Sequence, residues 1–330
     1  MKKQTVKQAL ALFLASAMML CAVSCEGDSA EMAESSPEMA YPLLSEKYFS
    51  ASGEPEGEDL YTYDADGHLI NCEYRLAGES KETYAYEYEN GRLVRKTERH
   101  TCAEREQADE IVYDYQYDAS GRLTEISKTV NKTYKGKVSY MRGGSGRIKR
   151  VIYYDADNGF QGMVEHKYDA SGHCIEEKEY DARSMISRHI YQYDESGRVS
   201  ECMVYDNQGF ACTYRFAYGN SGELLRKSWV DENGITYRAE QIEYDASGKK
   251  KSLTVTDNGK AEKMTLYEAY DDNGNCIKEA VYDENQDSLG WCEYTYGAEK
   301  MPVPAWEFSE HTFHGDFLVQ SGLSSIFLRE

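Results

Sequence analysis

A phrase of the form Tyr-Asp-x-x-Gly returns about every 25 residues between Tyr63 and Tyr296, with a weaker copy midway between successive strong ones. A fixed period of this kind marks a repeat protein, in which each unit buries its apolar face only against its neighbours. The strong copies place an aromatic at Tyr63, Tyr88, Tyr117, Tyr168, Tyr193, Tyr218, Tyr244, Tyr270 and Tyr296, and Arg142 holds the slot of one decayed copy. Weaker copies at Tyr154, Tyr180, Tyr205, Val230, Thr256 and Tyr282 reduce the unit to about 12 to 14 residues, one strand and one turn.

Within the unit each residue type has its own job. The Tyr-x-Tyr of Tyr115 with Tyr117, or Tyr191 with Tyr193, puts two rings on one face of a strand, because side chains alternate with period two. Asp118, Asp169, Asp194, Asp245 and Asp271 stand at the turn entrance, where a short carboxylate accepts backbone N–H groups two residues on. Gly121, Gly146, Gly172, Gly197, Gly222, Gly248 and Gly274 follow three residues later, where a hairpin needs positive φ. Two residues further lie Leu69, Leu93, Leu123, Ile148, Cys174, Val199, Leu224 and Cys276, a core seam broken only by Lys250. The pattern predicts an all-β fold: a long antiparallel β-meander of roughly 19 strands, curled or coiled into an open barrel or spiral, because open twisted sheets beyond about 10 strands curl or close. All five prolines lie outside the repeats.

The phrase in Tyr117-Asp118-Gly121-Arg122-Leu123, in Tyr193-Asp194-Gly197-Arg198-Val199 and in Tyr168-Asp169-Gly172 resembles the Rhs/YD-repeat family, over about 70% of the chain. That family includes the shells of bacterial polymorphic toxins and the extracellular domains of teneurins. The resemblance implies a spiralling β-sheet, which in long members encloses a toxin domain; no toxin domain follows the repeats here.

Lys2, Lys3 and Lys7 precede an apolar run from Ala9 to Leu20 that ends in Ala22-Val23-Ser24-Cys25, the form of a bacterial lipoprotein signal. Residues 1–24 are read as the removed signal and Cys25 as the lipid-bearing residue. Residues 25–58, rich in Glu, Ser, Gly and Pro, are read as a disordered tether, 59–297 as the repeats, and 298–330 as a C-terminal cap over the last strand. An edge-covering part at the front is expected from residues 43–60, with Tyr48 and Phe49. The expected location is extracytoplasmic and membrane-anchored, at the cell surface; Glu26 and Asp28 after Cys25 point the same way. The formal charge of −21 becomes −24 without the three signal lysines, which speaks against nucleic acid as a partner.

Seven cysteines after Cys25 show no paired CxxC of a zinc site. Cys202 and Cys212 flank the Asp206–Gly209 turn, so a cross-strand disulfide is a possibility, while Cys174 and Cys276 occupy the Leu column as small core residues. Asp64-Ala65-Asp66-Gly67 and Asp271-Asp272-Asn273-Gly274-Asn275 resemble the start of a calcium loop, but the twelfth positions are Arg75 and Tyr282, so both read as turns. His311 and His314 with Glu310 and Asp316 form a compact cluster whose spacing sends the histidines to opposite faces of an extended segment. No nucleophile elbow, phosphate loop or HExxH stretch occurs, so no enzyme, metal or cofactor is expected.

Two functional classes remain. One is a non-enzymatic binding or adhesion module, in which Tyr117, Tyr168, Tyr193, Tyr218, Tyr244 and Tyr270 form an aromatic ladder for an extended glycan or a surface protein. The other is a lipid-tethered spacer, shield or immunity-like accessory protein without a small ligand, with the tyrosines as core.

Overall fold

The computed structural model describes residues 39–76, 80–102 and 109–302. Twenty strands, from Leu43–Ser50 to Ser288–Tyr296, each pair antiparallel with the next. The first then pairs antiparallel with the last, Leu43 opposite Tyr296 and Tyr48 opposite Cys292, so the meander is a closed barrel. An up-and-down meander can close antiparallel only with an even strand number; from Pro55–Tyr63 onward there are 19 strands, and Leu43–Ser50 supplies the twentieth. Residues 43–58 are therefore not tether, which corrects the boundary read from composition. They also do more than cover an edge: no edge is left in the barrel. Met39–Ala40 and Met301–Pro302 form a separate two-stranded pair where the chain enters and leaves. The signal, Cys25, the remaining tether, His311, His314 and the rest of the C-terminal cap from residue 303 onward lie outside the described residues.

Turn chemistry fixes the register. In the strong copies Gly121 donates to the Asp118 carbonyl at 2.9 Å, and Asp118 donates to the Arg122 carbonyl at 2.9 Å. The Asp118 side chain accepts from the N–H groups of Ser120 at 2.9 Å and Arg122 at 3.0 Å. Asp169, Asp194 and Asp245 repeat the pattern, and Gly121, Gly172, Gly197 and Gly248 adopt φ of 83°, 93°, 78° and 82°. These hydrogen bonds hold the Asp118, Asp169, Asp194 and Asp245 carboxyls below their ordinary range, alongside an opposing desolvation that is the first influence on Asp169.

At each of these turns the pairing slips by one residue. Gln116 faces Glu125, yet Tyr117 faces Leu123. The bulge brings the Leu-column residue to the tyrosine's face, although its sequence parity is that of the opposite face. The same slip occurs at Tyr168, Tyr193, Tyr218, Tyr244 and Tyr270.

Candidate functional site: the inner face of the barrel

Register assigns every strand residue to one of two faces that run unbroken around the ring. One face carries Glu46, Tyr61, Tyr113, Tyr153, His166, Glu177, His189, Tyr191 and Tyr214, all buried large side chains. Apart from Val230, buried residues of the other face are small, such as Thr97, Thr213, Ser228, Ala239 and Ser252. Closure makes side chains converge on the concave side, so the first face lines the lumen. The outer face instead carries cross-strand ion pairs: Arg150 with Glu165 at 2.7 Å, Arg188 with Glu176 at 2.6 Å and Arg215 with Glu201 at 3.0 Å. Rows of this kind suit water and not hydrocarbon, since a lipid-facing barrel needs an apolar outer band.

The six tyrosines read as a ladder lie on the inner face, half-buried at one end of the barrel. Each hydroxyl donates to the backbone carbonyl of the Leu-column residue one strong copy earlier: Tyr117 to Leu93 at 2.8 Å, Tyr168 to Ile148 at 2.8 Å, Tyr193 to Cys174 at 2.7 Å, Tyr218 to Val199 at 2.9 Å, Tyr244 to Leu224 at 3.1 Å, and Tyr270 to Lys250 at 2.5 Å. Tyr88 does the same to Leu69 at 3.1 Å. The acceptor is backbone, so Lys250 interrupts the apolar column without interrupting the ladder.

Sequence reasoning gave no role to the residue after the turn glycine, and where it is Arg, Lys or His it proves to be the second inter-repeat contact. Arg198 lies over the Tyr218 ring at 4.5 Å, Lys249 over Tyr270 at 4.9 Å and Arg147 over Tyr168 at 5.9 Å. His68 stacks on Tyr88 at 4.6 Å and His173 on Tyr193 at 4.5 Å. Each Arg or Lys cation contributes about 0.5–1 kcal/mol at a partly exposed ring. The recurrence of His68, Arg92, Arg122, Arg147, His173, Arg198 and Lys249 was the available signal. The glycines serve this contact too: a Cβ at Gly172 would collide with the Arg147 guanidinium.

Away from the ladder the lumen wall carries two buried polar groups that the sequence did not mark. Glu46 is 0% exposed and accepts from Tyr48 at 2.9 Å and from Tyr61 at 3.0 Å. The same Tyr48 hydroxyl oxygen stands 2.5 Å from the Asp59 carboxyl. One hydroxyl hydrogen cannot serve both acids, so a second proton on Glu46 or Asp59 completes the set. Burial pushes Glu46 up to about 7, with Asp59 and Glu279 adding to it and the hydroxyls opposing. The other group is a row across three strands: His166 faces Glu177, which faces His189. Each histidine nitrogen lies 3.4 Å from a Glu177 oxygen.

Among the described residues, ligand atoms of Asp64, Asp66 and His68 come within 4.8 Å of one another and could hold a cation. Asp64 is already used by the turn, accepting from the backbone of Asp66 and His68 at 2.9 Å each and meeting His68 Nδ1 at 2.9 Å.

The Cys202–Cys212 bridge is not formed; both are buried free thiols. They share the inner face, but Cys202 faces Tyr214 and Cys212 faces Val204, a diagonal offset of about 7–8 Å. A disulfide needs Cα atoms within about 7 Å. Burial pushes both thiols up, away from the reactive thiolate. Mass spectrometry after unfolding without reductant and alkylation should therefore find both labelled. A missing pair of labels on these two residues would contradict the offset.

No family model matches the chain, and no curated protein matches it. Among solved structures, a porin-like protein from Bacteroides uniformis ATCC 8492 is 11% identical over 78% of this chain and 99% of that one, with a TM-score of 0.38. A porin-like protein from Bacteroides vulgatus ATCC 8482 is 11% identical over 78% of this chain and 100% of that one, at 0.28. The TcdB2-TccC3-TEV structure is 12% identical over 72% of this chain, with a TM-score of 0.32, and this chain spans 16% of its length. The barrel assignment stands on the strand pairing described above.

Proposed function

We propose that the protein works outside the cytoplasm, held to a membrane by lipid on Cys25, as a rigid non-enzymatic barrel that presents its surface to other macromolecules. The repeated tyrosines serve the barrel and not a ligand. The observation that carries this reading is the commitment of the ladder hydroxyls to backbone carbonyls of the preceding repeat. Glycan recognition by a tyrosine row needs exposed faces and free donors, and here the donors are used, with several faces covered by Arg, Lys or His. The charged outer face also favours a water-bathed body on a tether over a barrel that spans lipid.

The full-length protein is tested against a panel of glycans, cell-wall fragments and matrix proteins, beside a Tyr168→Phe, Tyr193→Phe, Tyr218→Phe variant. The variant should lose roughly 1 kcal/mol of stability per hydroxyl and bind nothing differently. A saturable glycan interaction that disappears in the variant, with the fold intact, would restore the ladder as a binding site. In cell fractionation Cys25→Ala should move the protein from the membrane to the soluble fraction; retention at the membrane would end the anchoring part of the reading.

A further inference from the structure

The two mouths of the barrel differ in chemistry. The mouth built from the strong-copy turns is tipped by small residues such as Ala119, Ala170 and Ala246, with Met39, Leu44 and Met141 exposed at the same end, and the chain enters and leaves there, since Leu43 pairs with Tyr296. The opposite mouth is built from the half-repeat turns. Five of the exposed large hydrophobics lie there, just after a turn: Tyr134 at 37%, Phe160 at 42%, Phe210 at 36%, Ile235 at 62% and Leu289 at 40%. Exposed carboxylates are interleaved with them, Asp157, Glu232, Glu284 and Asp287 together with Glu54, Asp206 and Asp257, and they outnumber the exposed cations of the same rim, Lys132, Lys135, Arg183 and Lys260. Just beneath, on the outer face, sit Tyr154, Tyr180, Tyr205 and Tyr282. The barrel's own cations already use this band: Lys137 lies 5.8 Å over Tyr154 and Arg188 5.9 Å over Tyr205.

From this we infer that the half-repeat mouth is a docking ring for a protein partner that presents Lys or Arg between apolar side chains. Five of the eight exposed large hydrophobics among the described residues gather at this rim of a water-facing barrel, each close after a half-repeat turn, and such a gathering marks an interaction surface. The interleaved carboxylates select the sign of the partner. The same carboxylates oppose an anionic membrane, and two copies meeting mouth to mouth would set like charges against each other. The mouth also points away from the end at which the chain leads toward residue 25, the expected anchor. The inference extends the proposed platform by naming what it would present to a partner, and it can fail while the anchoring stands.

Purified full-length protein is titrated with two synthetic peptides of equal charge, one alternating Lys and Leu and one alternating Lys and Ser. The Lys/Leu peptide should bind at least ten-fold tighter, and more weakly as salt is raised. Phe160→Ser, Phe210→Ser, Ile235→Ser should weaken it at least ten-fold, with circular dichroism unchanged. Asp157→Asn, Glu232→Gln, Glu284→Gln should weaken it too, and serves if the serine variant fails to fold. Equal binding of both peptides, undiminished binding by the variants, or no binding overturns the inference. It is equally overturned if the serine substitutions instead abolish adsorption to phosphatidylethanolamine/phosphatidylglycerol vesicles, or dissociate a dimer in sedimentation. Anchoring is read separately from Cys25→Ala, so the two failures are distinguishable.

Discussion

Raising the pH from about 5 to about 8.5 should destabilise the barrel by about 2.5 kcal/mol through Glu46 alone, and Glu46→Gln should remove most of that loss. Glu46 titrates near 4.5 when exposed and near 7 in the fold, because its burial disfavours the charged form. A group raised on folding contributes stability that is complete below its unfolded value and is lost as the pH climbs through its folded value. The window is therefore 4.5 to about 7, and the loss is complete above it. The groups facing Glu46 are Tyr48 on its own strand, Asp59 and Tyr61 on one neighbour, Tyr294 on the other, and Glu279 one strand beyond. Glu279 is raised as well, mainly by burial, so the variant keeps a residual slope of the same sign. The turn aspartates act oppositely: their carboxyls are held low, so their contribution is lost as the pH falls, which is why the comparison starts near pH 5. Urea midpoints across this range decide the matter, and an unchanged slope in Glu46→Gln would remove Glu46 as the source.

Gly290→Ala should cost roughly 3 kcal/mol or more and open the closing seam first. Gly290 has φ of 138°, a conformation that an L side chain resists, and it pairs with Ser50 across the junction of first and last strands. A Cβ there would collide with the Phe49 carbonyl oxygen, a backbone atom that moves only if the seam moves. Gly172→Ala is the control. Its φ of 93° is also unfavourable, but the atoms in the way belong to the flexible Arg147 guanidinium, so about 1–2 kcal/mol is expected. Thermal unfolding measures the difference, and amide exchange should show Leu43–Ser50 losing protection in Gly290→Ala before other strands. Equal costs for the two variants would mean that the seam has no special rigidity.

Local chemistry was legible in the chain. Tyr117, Asp118, Gly121 and Leu123 announced strand, turn and core in order, because an Asx-turn and a left-handed glycine are properties of a few consecutive residues. Closure was not legible, since nothing in Leu43–Ser50 names a partner about 240 residues away, and without the repeat phrase the strand read as tether. Strand parity placed two tyrosines on one face but could not tell inside from outside, which depends on closure. The bulges hid the offset of Cys202 from Cys212 and the shared face of Tyr117 and Leu123. Glu46 had no signal at all; an isolated glutamate near a chain end looks solvated until both flanking strands are in place. Arg198 and its equivalents were visible as a column, yet their purpose needed the distance between one turn and the next.

The bond from each ladder tyrosine to the preceding Leu-column carbonyl joins neighbouring strands and links one strong copy to the next, so it recurs at every second strand. Circumference is thereby quantised. A duplicated or deleted stretch of about 25 residues would insert or remove one hairpin and leave every remaining tyrosine with an equivalent acceptor. A stretch of half that length would leave an odd strand and force the closing pair to run parallel. Genetic drift in copy number can thus widen or narrow this barrel only in whole-hairpin increments, each leaving both mouths with their own chemistry.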